Sequence, residues 1–141
     1  MKKDTARLFC TIHPLGALGT YKYVVVLSRE NGEILLSRRR DRATWETQGG
    51  HIEPGETPMD AARRELYEES GALEFEIAPL CDYFGYDDTS SSNGMVFFAV
   101  IKRRGPLPES EMADTRTFGA LPENLTYPNV TPILFAQLRG R

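Results

Sequence analysis

Hydrophobic positions in this chain fall into short runs that follow two different periods. Lys22 to Ser28 reads KYVVVLS, an apolar β-branched run that predicts a strand. Arg29-Glu30-Asn31-Gly32 carries the residues of a tight turn, and Glu33 to Ser37 (EILLS) returns as a second strand. Leu73 to Tyr86 (LEFEIAPLCDYFGY) predicts one or two strands broken at Pro79, Met95 to Lys102 (MVFFAVIK) the most buried strand, and Arg116 to Leu121 a short one. Between them, Asp87 to Gly94 (DDTSSSNG) reads as a polar loop and residues 103–108 as a turn.

One segment changes period. Thr57-Pro58-Met59-Asp60 is a helix start: Thr57 can cap, Pro58 is tolerated in the first turn, and Asp60 completes a capping box. The helix is expected to end near Ser70, stopped by Gly71. At 100° per residue, Met59, Ala62, Leu66 and Leu73 share an apolar stripe that must face a core. Glu65, Glu68 and Glu69 line an adjoining stripe beside Ala61, and Arg64 can pair with Glu68 one turn on. A second short helix is expected over Thr131 to Leu138. Two helices among mostly hairpin-linked strands imply an α+β or layered α/β/α fold.

Composition narrows the function. A chain of 141 residues is the size of one domain, residues 1–141, and its net charge of −3 lacks the basic footprint of a nucleic-acid-polymer binder. No apolar run approaches the ~20 residues of a membrane span, and Met1-Lys2-Lys3-Asp4 lacks the apolar segment of a signal peptide. Cys10 and Cys81 are too few and too separated for a zinc site or a disulfide framework. A cytoplasmic protein with reduced thiols is the expectation.

Three carboxylates on one stripe repel one another, and in the later turns of a helix the macrodipole disfavours them too. A solvated acidic face is the ordinary outcome of such a run. Here the stripe borders the buried face, and Gln48-Gly49-Gly50 leads into it as a glycine-rich loop. A divalent cation resolves the repulsion. All-oxygen donors suit Mg²⁺, with Mn²⁺ as the alternative, rather than zinc. Arg38, Arg39, Arg40 and Arg42 lie a few residues upstream, and Arg38 and Arg40 are the candidates to grip a substrate phosphate. Trp45, the single tryptophan, either packs the core or stacks on a base.

Gly50 to Ala72 satisfies the pattern G-x5-E-x7-R-E-U-x-E-E-x-G-U, where U is aliphatic or small, through Gly50, Glu56, Arg64, Glu65, Leu66, Glu68, Glu69, Gly71 and Ala72. Its seven fixed identities would coincide by chance about once in 10^8 trials. The stretch resembles the Nudix box of the Nudix hydrolases. The resemblance implies an α/β/α sandwich with a mixed, curved sheet and the box as loop-helix-loop. It also implies hydrolysis of a nucleoside diphosphate linked to another moiety, on a small-molecule nucleotide. Glu65, Glu68 and Glu69 would hold Mg²⁺, the Gly49 carbonyl would add a ligand, and Glu56 would either complete the metal cluster or orient Arg64. Arg64 would serve catalysis by fixing the carboxylates. The general base would be Glu65 or Glu68, or else an acid of a later loop, with Glu109, Glu111, Asp114 and Glu123 as candidates. Many relatives form homodimers. Gln48 departs from the proline that many relatives carry before the glycine pair.

The subfamily marks are absent. SQPWPF does not occur, the proline that marks many ADP-ribose hydrolases would fall near Asp87, and the tyrosine that marks many dinucleoside polyphosphate hydrolases would fall at Asp88 to Ser90. The coenzyme A motif is matched only faintly, with Thr47-Gln48 in place of its Phe-Pro. By elimination the chain looks most like a MutT-type nucleoside triphosphate pyrophosphohydrolase, with 8-oxo-dGTP as an example substrate. ADP-ribose or dinucleoside polyphosphate hydrolysis is the first alternative, and a non-catalytic nucleotide-sensing module the second. An isopentenyl-diphosphate isomerase needs a Cys and metal-binding His residues, and the chain offers only His13 and His51 beside its two cysteines.

Overall fold

The structure, a computed structural model, describes residues 4–139; the Met1–Lys3 start weighed above lies outside them. After a 3-10 turn at Thr5–Arg7 the elements run β1 (Phe9–His13), β2 (Tyr23–Glu30), β3 (Glu33–Arg39), β4 (Gln48–His51), α1 (Pro58–Ser70), β5 (Ala72–Tyr86), β6 (Ser91–Arg104), β7 (Met112–Phe118) and α2 (Thr131–Ala136). The strands form one sheet in the order β1-β5-β6-β2-β3-β7, and β4 pairs with β2. Parallel pairing of β2 with β6 makes the sheet mixed.

Period-two alternation sorts the apolar residues between two layers. Val24, Val26, Leu35, Phe97 and Ala99 pack under Ala61, Ala62 and Leu66 of α1. Leu27, Leu36 and Val96, one residue out of step, join Leu134, Phe135 and Leu138 around α2. The sheet therefore lies between two helices, as the α/β/α reading expects.

Local signals hold α1 where they predict it. Thr57 accepts from the Asp60 amide and Asp60 accepts from the Thr57 amide, both at 3.1 Å, so the capping box is complete. Gly71 ends the helix at φ 79°, and a Cβ there would stand 2.7 Å from the Pro106 carbonyl. Leu73 is a correction. The turn at Gly71 converts the chain to β5, and Leu73 is 44% exposed instead of extending the helical stripe.

Strand bounds differ more. β5 continues through Pro79 because the missing N–H falls at a register shift between Pro79 and Cys81. The polar loop contracts to residues 87–90, where the Asp87 carboxylate accepts from the amides and hydroxyls of Thr89 and Ser90, and β6 begins at Ser91. Gln48 to His51 is a strand along β2 rather than a loop. Asp114 lies within β7, and β3 extends through Arg38 and Arg39. No helix among the described residues is long and apolar enough to cross a membrane.

Leu66 is fully buried between α1 and the sheet. Leu66→Ala is expected to cost about 2–5 kcal/mol, and Thr57→Ala about 1 kcal/mol through the lost cap, both read by urea unfolding.

Candidate active site

α1 rests on the part of the sheet where β4 runs beside β2, and two glycines permit the approach. A Cβ at Gly49, whose φ is 155°, would meet the Val24 carbonyl at 2.3 Å, and one at Gly50 would meet Glu65 Oε1 at 2.7 Å. Gly49 thus keeps β4 against β2, and Gly50 leaves room for the Glu65 carboxylate.

Arg64 gathers the acids. Its Nε and Nη2 donate to the two Glu56 oxygens at 2.7 and 2.9 Å, a bidentate pair. Nη1 donates to Glu65 Oε1 at 2.7 Å and to Glu68 Oε2 at 3.3 Å, and Nη2 also reaches the His51 carbonyl at 3.1 Å. The paired guanidinium draws the Glu56 carboxyl down to about 2, while its acid partners raise Arg64 in turn. Glu56 therefore holds Arg64 in place.

Glu69 stands apart from this fan. Its carboxylate is buried, and the Gly49 N–H donates to Oε1 at 2.8 Å. Burial pushes it up to about 9; the Gly49 bond opposes this, and the charges of Glu65 and Glu46 add to it. Burial also raises Glu65 against the pull of Arg64. Glu68 is the open member, its side chain 47% exposed.

Among the described residues no three acids converge on one point as a preformed cage. The set still fits Mg²⁺, which binds through one or two carboxylates and takes its remaining ligands from water and phosphate. The donors are all oxygen, Glu65 and Glu69 are held at the glycine pair, and a buried carboxylate without a cationic hydrogen-bond partner is what a cation would relieve.

The upstream arginines are placed differently from expectation. Arg38 Nη1 donates to the carbonyls of Arg39 and Arg42, and Arg40 Nε to that of Ser110, so both brace loops. Arg39 is the one of the four arginines whose charge favours ionised Glu69, and at Glu46 it adds to the larger pull of Arg42. Strand alternation explains this, since Ser37, two residues earlier, bonds the Glu69 carbonyl. Arg39 also pairs with Glu111, which ties that later-loop acid toward the box; Glu109, Asp114 and Glu123 are exposed. Trp45 is 7% exposed and packs edge-on against Phe118, which is the core placement.

Two features have no sequence motif. Glu46 is buried against Arg42 and Thr126, and burial raises it despite Arg42. Gln48 is fully buried among Ser28, Ser37 and the Leu35 carbonyl. Their burial follows from the pairing of β4 with β2 and the bridge between Ser37 and Glu46, which no local spacing announces.

Comparison with known proteins agrees with this geometry. The family model of the NUDIX domain matches residues 21–125. A Bacillus subtilis protein, named provisionally as an 8-oxo-dGTP diphosphatase, is 45% identical over 49 residues, 35% of this chain and 32% of that protein. An RNA pyrophosphohydrolase of Francisella philomiragia is 37% identical over 67 residues, 45% of this chain and 43% of that one. The matched segments thus span less than half of those relatives. Among solved structures, the Bacillus subtilis pyrophosphohydrolase BsRppH superposes with a TM-score of 0.78 at 26% identity, covering 93% of this chain and 89% of that one.

Glu69 gives a pH signature. Its folded-state value, about 9, lies above the 4.5 of an ordinary glutamate. The folded protein therefore holds a proton that the unfolded chain has released, and stability falls as pH rises between those values. In EDTA, the melting temperature of the wild type is expected to drop more between pH 6 and 8.5 than that of Glu69→Gln. Mn²⁺ should restore stability at the higher pH. Equal slopes would sink this account of Glu69.

Proposed function

The chain belongs to the Nudix hydrolase family, and from that premise we propose that it is a Mg²⁺-dependent enzyme that hydrolyses the pyrophosphate bond of a nucleoside triphosphate such as 8-oxo-dGTP. A single observation carries this reading. Arg64 gathers Glu56, Glu65 and Glu68, and the Gly49 amide holds Glu69, where α1 packs on β4.

Glu65, Glu68 and Glu69, with the Gly49 carbonyl, would hold the metal. When bound, Mg²⁺ would neutralise the diphosphate and lower the pKa of a water. Glu68 is the base that the geometry favours, because it is the most open of the acids and more loosely tied to Arg64 than Glu65 is. It takes a proton as the water oxygen bonds to phosphorus. The bridging P–O bond breaks, and its electron pair leaves with pyrophosphate when the α-phosphorus is attacked or with the nucleoside monophosphate when the β-phosphorus is. Arg64 and Glu56 hold the carboxylates in place and touch no reacting atom. Arg38 and Arg40, which rest on backbone carbonyls, and Trp45, which rests on Phe118, are the proposed substrate contacts, and a substrate would compete with those partners for them.

A second reading, hydrolysis of a pyrophosphate bond at the 5′-triphosphate end of an RNA, is favoured by the similarity to the RNA pyrophosphohydrolase of Francisella philomiragia and by the near-complete superposition on the pyrophosphohydrolase BsRppH. Both readings share a 5′-triphosphate. They differ in whether a polynucleotide follows it.

The test is a substrate panel in ¹⁸O-labelled water with Mg²⁺, read by mass spectrometry. It would hold (d)NTPs, 8-oxo-dGTP, ADP-ribose, Ap4A and a triphosphorylated RNA oligonucleotide. Turnover of a free triphosphate, reduced about 10²–10⁴-fold in Glu68→Gln, is the expected result. Turnover of the oligonucleotide alone would transfer the assignment to the second reading. A nucleotide that raises the melting temperature and is never cleaved would replace both with a sensor.

A further inference from the structure

β2 changes partner along its length. Residues 28–30 pair with β3, and residues 23–26 pair with β4. Three polar side chains, Ser28, Ser37 and Gln48, fill the place where the two neighbours part, and all three are fully buried.

Their bonds form one ordered chain. Ser28 Oγ donates to Gln48 Oε1 at 2.6 Å, Gln48 Nε2 donates to Ser37 Oγ at 2.9 Å, and Ser37 Oγ donates to the Glu69 carbonyl at 2.8 Å. The direction is forced from the helix end. A carbonyl only accepts, so the Ser37 hydrogen goes to Glu69, and Ser37 then needs a donor from Gln48. The same amide nitrogen also meets the Leu35 carbonyl at 3.3 Å, so the Gln48 oxygen must turn to Ser28.

The chain ends at a consequential atom. Glu69 lies in the last turn of α1, where carbonyls lack helical partners. Ser37 supplies that partner. The residue after Gln48 holds the other end of the same glutamate, through the bond from the Gly49 N–H to its carboxylate. Residues 48 and 49 thus secure Glu69 at its backbone and at its side chain. A proline before the glycine pair, as in many relatives, has no amide to give Ser37.

We propose that Gln48, acting through Ser37, is a positioning residue that sets the place of the Glu69 carboxylate for the divalent cation. It rests on the metal reading above. Outer partners of metal ligands commonly change metal affinity 10–100-fold when removed.

The experiment compares Ser37→Ala, Gln48→Leu and their double substitution with the wild type. Leu134→Ala, which loosens the opposite core layer, serves as the control for general destabilisation. Mn²⁺ affinity is measured without substrate from the electron paramagnetic resonance of the free ion. Exchange of the Gly49 amide is followed in metal-free protein, and kcat and KM at saturating metal. Each single substitution is expected to weaken Mn²⁺ about tenfold, and the double no further, because both cut one chain. Gly49 exchange should quicken about tenfold, while KM stays within twofold. Leu134→Ala should lower the melting temperature and leave Mn²⁺ affinity unchanged. If Gln48→Leu does not fold, Ser37→Ala decides the matter. Unchanged Mn²⁺ affinity and Gly49 exchange in Ser37→Ala would overturn the proposal, as would an equal loss in the control. A wild type that takes up no Mn²⁺ sinks the metal reading and this proposal together, whereas Mn²⁺ binding that the substitutions leave untouched sinks this one alone.

Discussion

The repulsion among carboxylates at the edge of the sheet is the constraint that the rest of the site answers. Glu56, Glu65 and Glu68 would not stay together in water, and Arg64 holds them by giving each an N–H. A lysine could not, because the task needs several donors in fixed directions on a planar group. The pairs with Glu56 and Glu65 are partly buried and that with Glu68 is open, so their contribution to stability is modest. The value of this arrangement lies in placement: one side chain fixes three acids relative to β4 through its further bond to His51.

Backbone geometry makes that placement usable. Gly49 brings β4 close to β2, and Gly50 leaves the gap that the Glu65 carboxylate enters. The same sheet position splits the apolar residues between the α1 layer and the α2 layer, so the helix is pressed against the glycines by the core beneath it. Fold and site share one cause here. The buried Leu66 face of α1 and its acidic stripe sit on one rigid element, so packing the first fixes the second.

What could be read in the sequence was what local chemistry decides. Thr57, Asp60 and Gly71 bound α1 by capping, and the motif spacing placed Glu65, Glu68 and Arg64 on one side of it. Long-range pairing was not legible. Gln48 to His51 looks like a glycine loop until β2 lies beside it, and Pro79 looks like a break until the register shift with β6 absorbs it. The arginine cluster shows the same limit. Four basic residues in five positions carry no mark of their partners; the fold gives Arg42 to Glu46 and Arg39 to Glu111. Trp45 carried two readings, and the contact with Phe118 that supports the core one comes from a strand some seventy residues away.

Glu69 shows most clearly why the acidic stripe is not a solvated face. A carboxylate meant for water would point outward from the last turns of a helix, where the dipole already disfavours it. Glu69 is instead 9% exposed, with a single backbone N–H for company, and the charges of Glu65 and Glu46 act against its ionisation. Such a group is an uncompensated cost in a protein that only needs to fold. Surrounding structure holds it nonetheless, at the Gly49 amide and through Ser37. Local rules of stability tend to fail where function requires it. The failure here has a definite sign: it raises the affinity of the site for a proton or a cation. The divalent ion proposed above would take the place of that proton at Glu69, with Glu65 beside it at the glycine pair.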